Sequence, residues 1–195
     1  MALNKRSDRQ NEIADVAAKL FRQKGFAAVS MRDLAAAMEI KAASLYNHIS
    51  SKQDVLALVI MDLAASFTQG MELIYNDNAA VSDKLSRIIA LHIDLTIQNP
   101  NAMASLNNDW MHLAPEELKT FIEQRDDYED SLRRIIRQGI SENNLFALNE
   151  DVVVFSLLST LRTLYLWYGK RSRLSPEELK NDLVQALLLG LVKQV

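Results

Sequence analysis

Five glycines and three prolines in 195 residues leave this chain almost without the punctuation that sheet proteins depend on. A sandwich or barrel turns its strands about every 8–12 residues, and the residues that make such turns are too few here. The fold class that remains is all-α. Apolar residues make up 49% of the chain, enough for a sizeable core, and their spacing supports helices throughout. Ile13, Val16, Ala17, Leu20 and Phe21 recur at i, i+3, i+4, i+7 and i+8, one stripe of an amphipathic helix. Ser7 with Gln10 forms a capping box ahead of that stripe, and Gly25 stands where a helix ends.

The same signals lay out the rest of the chain. Ser30 followed by Asp33 opens a short second helix with Leu34 and Met38 inward, Glu39-Ile40 makes a tight turn, and Lys41 to Ile49 forms a third helix. Ser51 with Asp54 caps a long fourth helix to about Tyr75. Five more are expected over 82–98, 102–112, 115–138, 150–169 and 176–191, with a basic turn at Lys170-Arg171-Ser172-Arg173. A second helix, a short turn and a compact third helix make a helix-turn-helix. The expected architecture is an N-terminal three-helix domain over 1–52 joined to a larger helical bundle over 53–195.

Several function classes fall away. The chain has no Cys, which excludes disulfides and thiolate chemistry and fits a reducing compartment. No apolar signal segment opens the N-terminus, so a cytoplasmic location is expected. The apolar run Val152–Tyr168 is broken by Arg162, Ser156, Ser159, Thr160 and Thr163, whereas a membrane span needs about 20 mostly apolar residues; it reads as a buried helix. Three His cannot furnish the paired Glu-x-x-His motifs of a di-iron bundle. No metal, cofactor or membrane partner is expected.

Net charge is −3, but it is unevenly divided. Residues 1–55 hold nine Lys/Arg against six Asp/Glu, and the remainder holds 13 against 19. A basic front on an acidic body is the asymmetry of a nucleic-acid reader with a separate second function. Turned at 100° per residue, the third helix puts Leu45 and Ile49 inward and Ala43, Ser44, Tyr46, Asn47 and His48 outward. Such an arc suits phosphate oxygens, with Lys52 arriving in the next helix. Ala43 lets the helix approach a major groove, and Arg32 is the one long fork able to hold a guanine edge. The competing readings are an ordinary solvated face and a Ser44/His48 catalytic pair. The second lacks an orienting group and an oxyanion site, so no enzyme is expected.

The block from Ala17 to Leu58 resembles the DNA-binding domain of TetR-family transcriptional regulators. The resemblance rests on Phe21 with Lys24-Gly25-Phe26, on Ser30-Met31-Arg32-Asp33-Leu34-Ala35, and on Leu45-Tyr46-Asn47-His48 followed by Ser51-Lys52. It implies an all-helical homodimer that binds double-stranded operator DNA and answers a small-molecule effector, most often as a repressor. The DNA-facing set it implies is Ser30, Arg32, Lys41, Ala42, Ala43, Ser44, Tyr46, Asn47, His48 and Lys52. Tyr46, His48 and Lys52 match phosphate-holding positions, and Arg32, Ala42 and Ala43 match base-facing ones. Ala43 stands where Gly or Pro is frequent, Lys41 where Ser is, and Ile49 where Phe is.

In the acidic part, Val154, Leu157, Leu158, Leu161 and Tyr165 form one stripe, and Ser156, Ser159, Thr160 and Thr163 form a second of small residues. With the apolar segment 176–191, this predicts a four-helix interface between two subunits; a purely intramolecular core is the alternative. Met103, Asn107, Trp110, Met111, Tyr128 and Tyr165 mix aromatics, sulfur and amide as ligand pockets do, and as ordinary helical cores also do. A bundle of this fold that binds a lipid or other small molecule without DNA is the second functional reading.

Overall fold

The computed structural model describes residues 7–168 and 173–193. Every regular element among them is helical: α1 Asp8–Lys24, α2 Met31–Ala37, α3 Ala42–Tyr46, α4 Lys52–Tyr75, α5 Val81–Gln98, α6 Ala102–Asn108, α7 Pro115–Ser141, α8 Glu150–Trp167 and α9 Pro176–Leu188. Capping boxes at Ser7/Gln10, Ser30/Asp33 and Ser175/Glu178 start α1, α2 and α9. Each satisfies two otherwise orphaned donors. The Ser51 hydroxyl accepts the Asp54 N–H at 3.0 Å and starts α4. Gly25 ends α1 at φ 81°, a conformation that strains any residue with a Cβ.

Two compact units emerge. The first combines 1–64 with 99–122, and the second combines 65–98 with 123–195. Compactness therefore cuts the chain differently from the linear division at 52/53. The first three turns of α4 bring Val55, Leu56, Val59 and Ile60 into one core with α1–α3, which Leu113 and Phe121 also join. The Arg22 guanidinium donates to Pro100 O at 2.9 Å and to Asn101 Oδ1 at 3.1 Å, holding α6 beside α1.

In the second unit, α5 packs on α8 and α9. Lys180 pairs with Asp94 at 2.7 Å, and Arg137 grips Glu150 through two bonds of 3.0 and 2.8 Å. α4 is long and apolar enough to cross a membrane by length and composition. Its Val55, Leu56 and Ile60 in the first unit, and Phe67, Met71 and Ile74 in the second, are instead buried in protein.

Some boundaries differ from expectation. α3 is a five-residue helix rather than one reaching Ile49, because the His48 N–H closes on Leu45 O, three residues back, and tightens the turn. The segment expected as one helix over 102–112 breaks at Asp109 into α6 and a 3-10 turn over Trp110–His112. α9 stops at Leu188 because the following backbone pairs elsewhere: Phe146 N–H bonds Leu191 O and Lys193 N–H bonds Asn144 O, both at 3.0 Å. Residues 169–172, which hold the expected last residue of the 150–169 helix and the first three of the basic turn over 170–173, lie outside the described residues.

Candidate nucleic-acid interface

The candidate surface is built from the α2 cap upward. The Ser30 hydroxyl donates to Asp33 Oδ2 at 2.6 Å, the Ser30 N–H donates to the same oxygen at 2.8 Å, and the Asp33 N–H returns to Ser30 Oγ at 3.2 Å. These bonds hold the Asp33 carboxyl below the usual range. They also commit Ser30, expected on the DNA face, to starting the helix. Between α2 and α3 the chain reverses at Glu39, whose φ of 57° is left-handed, while the Ile40 N–H bonds Ala35 O at 3.0 Å.

This turn seats Leu45 and Ile49 in the same core as Leu34 and Met38. The outward arc then follows from the helical repeat. Arg32, Lys41, Ala43, Ser44, Tyr46, Asn47 and His48 are all exposed, Tyr46 by 53%. Ala42 differs from the rest of the expected set, since it packs partly against the core. Lys52 differs too. Its ammonium donates to Phe26 O at 2.9 Å and Ala27 O at 3.4 Å, and sits 4.3 Å over the Phe26 ring. It ties the first turn of α4 to the loop between α1 and α2.

The six residues expected around a ligand are divided between the units. Met103, Asn107, Trp110 and Met111 belong to the first, Tyr128 and Tyr165 to the second. Met103 is buried, Asn107 bonds Met103 O at 2.8 Å, Trp110 stacks on Phe121 at 5.7 Å, and Met111 is exposed. In the second unit, Tyr128 shares a buried hydrogen bond of 2.9 Å with His92 Nε2. The Phe67 ring lies 4.7 Å from the imidazole. Burial, with the nearby Arg162 charge, lowers the His92 pKa to about 3, so the ring is neutral. Burial also pushes the Tyr128 hydroxyl up.

His92 and Thr96 were not among the expected pocket residues. The available signal was a polar pair at i, i+4 on α5 set into the apolar series Leu85, Ile88, Ile89 and Ile93, all of them buried.

On α8 the stripe of Val154, Leu157, Leu158, Leu161 and Tyr165 is buried. The opposite face is open and mixes Val152, Phe155, Leu166 and Trp167 with Ser156, Ser159, Thr160 and Thr163. Phe155 is 72% exposed there, and Leu189, just past α9, is 64% exposed. A Cβ on the neighbouring Gly190 would meet nothing within 4 Å.

Comparison with known proteins agrees with this architecture. The family model described as "Bacterial regulatory proteins, tetR family" matches residues 13–59. A second, "Tetracyclin repressor-like, C-terminal domain", matches 78–191. The HTH-type transcriptional repressor KstR2 of Mycobacterium tuberculosis is 24% identical over 194 residues, covering 96% of this chain and 95% of that protein. Its solved structure superimposes with a TM-score of 0.89 at 19% identity, covering 99% of this chain and 98% of that one. PfmR, a TetR-family regulator from Thermus thermophilus, superimposes with a TM-score of 0.80 at 26% identity over 93% and 99% of the two chains. AibR in complex with isovaleryl coenzyme A and operator DNA gives 0.79 at 22% identity over 92% and 97%.

Proposed function

The chain belongs to the TetR family of bacterial regulatory proteins, and on that premise we propose a one-component repressor that a small molecule releases from its operator. DNA binding through the helix-turn-helix is the part carried most directly by the observations. An exposed polar arc from Lys41 to His48 stands on a buried Leu45/Ile49 seat, in the part of the chain with excess positive charge.

Tyr46, Asn47, His48, Ser44 and Lys41 take phosphates and fix the register of the helix on the duplex. Ala43 approaches the bases and Arg32 reads a guanine edge. Ser30 acts through the cap that orients Arg32, and Ala42 supports Ala43 from the core side. Lys52 braces the arc by holding the Phe26 and Ala27 carbonyls.

Two copies join through the open face of α8 and the end of α9. A face carrying exposed Phe155 and Leu189 among small residues invites close helix packing against its own copy. The dimer then spans two half-sites about 34–36 Å apart or a near multiple. AibR, captured with both isovaleryl coenzyme A and operator DNA, supports a small-molecule effector, which we assign to the second unit. Binding there shifts the spacing of the reading heads only if the effector prefers one spacing over the other. We place the protein in the cytoplasm, where its operator is.

A gel shift on the DNA flanking its own coding region tests the reading. Binding is expected, with log affinity falling linearly in log salt. No binding there, or binding indifferent to salt, refutes it. It would then favour the second reading, a bundle that binds small molecules without DNA.

A further inference from the structure

Three polar side-chain atoms buried in the second unit have no hydrogen-bond partner: Nδ1 of His92, Oγ1 of Thr96 and Oε1 of Gln124. His92 and Thr96 are only 4% and 1% exposed. Leaving such a group without a partner is destabilising, and native cores hold few of them.

His92 and Thr96 lie one turn apart on α5, and Gln124 lies one turn from Tyr128 on α7. His92 Nε2 bonds Tyr128 across α5 and α7. Farther along, a Cβ on Gly139 of α7 would lie 2.8 Å from the Val81 side chain of α5. Going from Val81 to His92 advances eleven residues on α5, while going from Gly139 to Tyr128 retreats eleven on α7. The helices are therefore antiparallel and in one register. Carrying that count one turn on leads to Thr96 on α5 and to Gln124 on α7, whose side-chain oxygens both lack a partner.

The surroundings limit what can satisfy these atoms. The His92 ring is neutral. Arg162, the charge it feels, is engaged by Glu129 at 2.7 Å. Lys84, the other buried polar residue of α5, is held by Tyr75 O at 2.9 Å. Phe67 walls one side at 4.7 Å from His92 and 6.2 Å from Tyr128, and Met71, Ile89 and Ile93 on the same helices are apolar. An anion or cation seated here would lose its hydration without a counter-charge to replace it.

A hydroxyl group meets all three atoms' needs. It donates to Gln124 Oε1, which accepts only. With two lone pairs it accepts from Thr96 and, when the Tyr128 hydroxyl donates to Nε2, from Nδ1–H as well. In the other tautomer Nδ1 would also need a donor, and the single O–H cannot serve it and Gln124 together, so the site takes the Nδ1–H form. A carbonyl can do none of the donating.

We propose that His92, Thr96 and Gln124 form the polar end of the effector site, and that they select an uncharged alcohol carried on an apolar body. This rests on the effector-responsive reading above and adds the ligand class to it.

The test is thermal shift of the full-length protein with three probes of equal chain length below their micellar concentrations: decan-1-ol, decanoate and decylamine. Decan-1-ol is expected to raise Tm while the two ions do not. Thr96→Val, which keeps the side-chain outline, is expected to weaken decan-1-ol about tenfold, the factor for one hydrogen bond of about 1.4 kcal/mol. The same variant should raise Tm without any probe, since it removes an unpaired buried hydroxyl; a purely structural Thr96 would lower it. Three results overturn the inference: no shift with decan-1-ol, an equal shift with either ion, or an unchanged response in Thr96→Val. Operator binding without any probe is measured on the same preparations. Its loss counts against the regulator reading, whereas intact binding with any of those three results counts against the alcohol site alone.

Discussion

The two compact units keep their chemistry on different sides of their cores. In the first, Ser105 is the only buried polar side chain among the described residues, and the groups suited to DNA project outward from a closed apolar seat. In the second, His92, Thr96 and Lys84 are sealed inside, while the open face of α8 and the end of α9 carry large apolar residues. A phosphate backbone is met at a surface and rewards exposed donors. A small effector is engulfed and rewards polar atoms whose desolvation cost it alone offsets. Under the proposed function, inside and outside exchange roles between the units because a duplex and a small effector differ in size and polarity.

The sharpest way to break this comparison is to charge the apolar outside of the second unit. Phe155→Glu combined with Gly190→Arg should give a monomer by light scattering with unchanged helix content. Operator affinity should then fall toward the non-specific level, at least about 10³-fold. A variant that stays dimeric removes the α8–α9 face from the interface.

Within the first unit, Arg32→Ala should cost about 1–3 kcal/mol on the operator and relax specificity there. Equal losses on operator and random DNA would deny it a base-reading role. Lys52→Ala separates two roles for one side chain. If Lys52 also neutralises a phosphate, the salt slope becomes shallower by about one. If it only holds the Phe26 and Ala27 carbonyls, Tm falls while the slope stays.

The sealed interior of the second unit predicts a pH response. Folded His92 stays neutral down to about pH 3, while the unfolded chain takes up that proton near 6.5. Stability contributed by the depressed pKa is complete above 6.5 and is lost as pH falls below it. Denaturant unfolding between pH 6.5 and 5 should show a loss on the order of 1–2 kcal/mol. His92→Gln should flatten that slope. The lowered carboxyls Asp33, Asp77, Glu150 and Glu178 act at lower pH, and Asp109, raised by burial, works in the opposite sense, so the slope lost in the His92 variant is what measures His92. An equal slope in the variant would mean that another group is responsible.

The smallest effect concerns the turn between α2 and α3. Glu39 holds a left-handed φ that Gly adopts freely, so Glu39→Gly should raise stability by up to about 1 kcal/mol. Operator affinity should not change. A loss of affinity would show that the Glu39 side chain helps set the angle of α3.

Much of this was legible in the chain itself, because it rests on local rules. The scarcity of Gly and Pro, the Ser7, Ser30 and Ser175 caps, and the 3.6-residue spacing of Leu45 and Ile49 act within one or two turns. They determined the helical class, the starts of α1, α2 and α9, and the outward direction of Tyr46 and His48. The family likeness was legible in the same block.

Tertiary structure decided whatever depends on partners distant in sequence. Lys52 turns to the Phe26 and Ala27 carbonyls 26 and 25 residues away, a choice no local pattern encodes. The chain after α9 leaves the helix to pair with Leu145. The first unit gathers 99–122 because Arg22 reaches Pro100 and Asn101. The buried His92–Tyr128 hydrogen bond exists only once α5 and α7 lie antiparallel. Hydrogen bonds saturate locally along a helix, but burial and desolvation are settled by what the fold brings against each face.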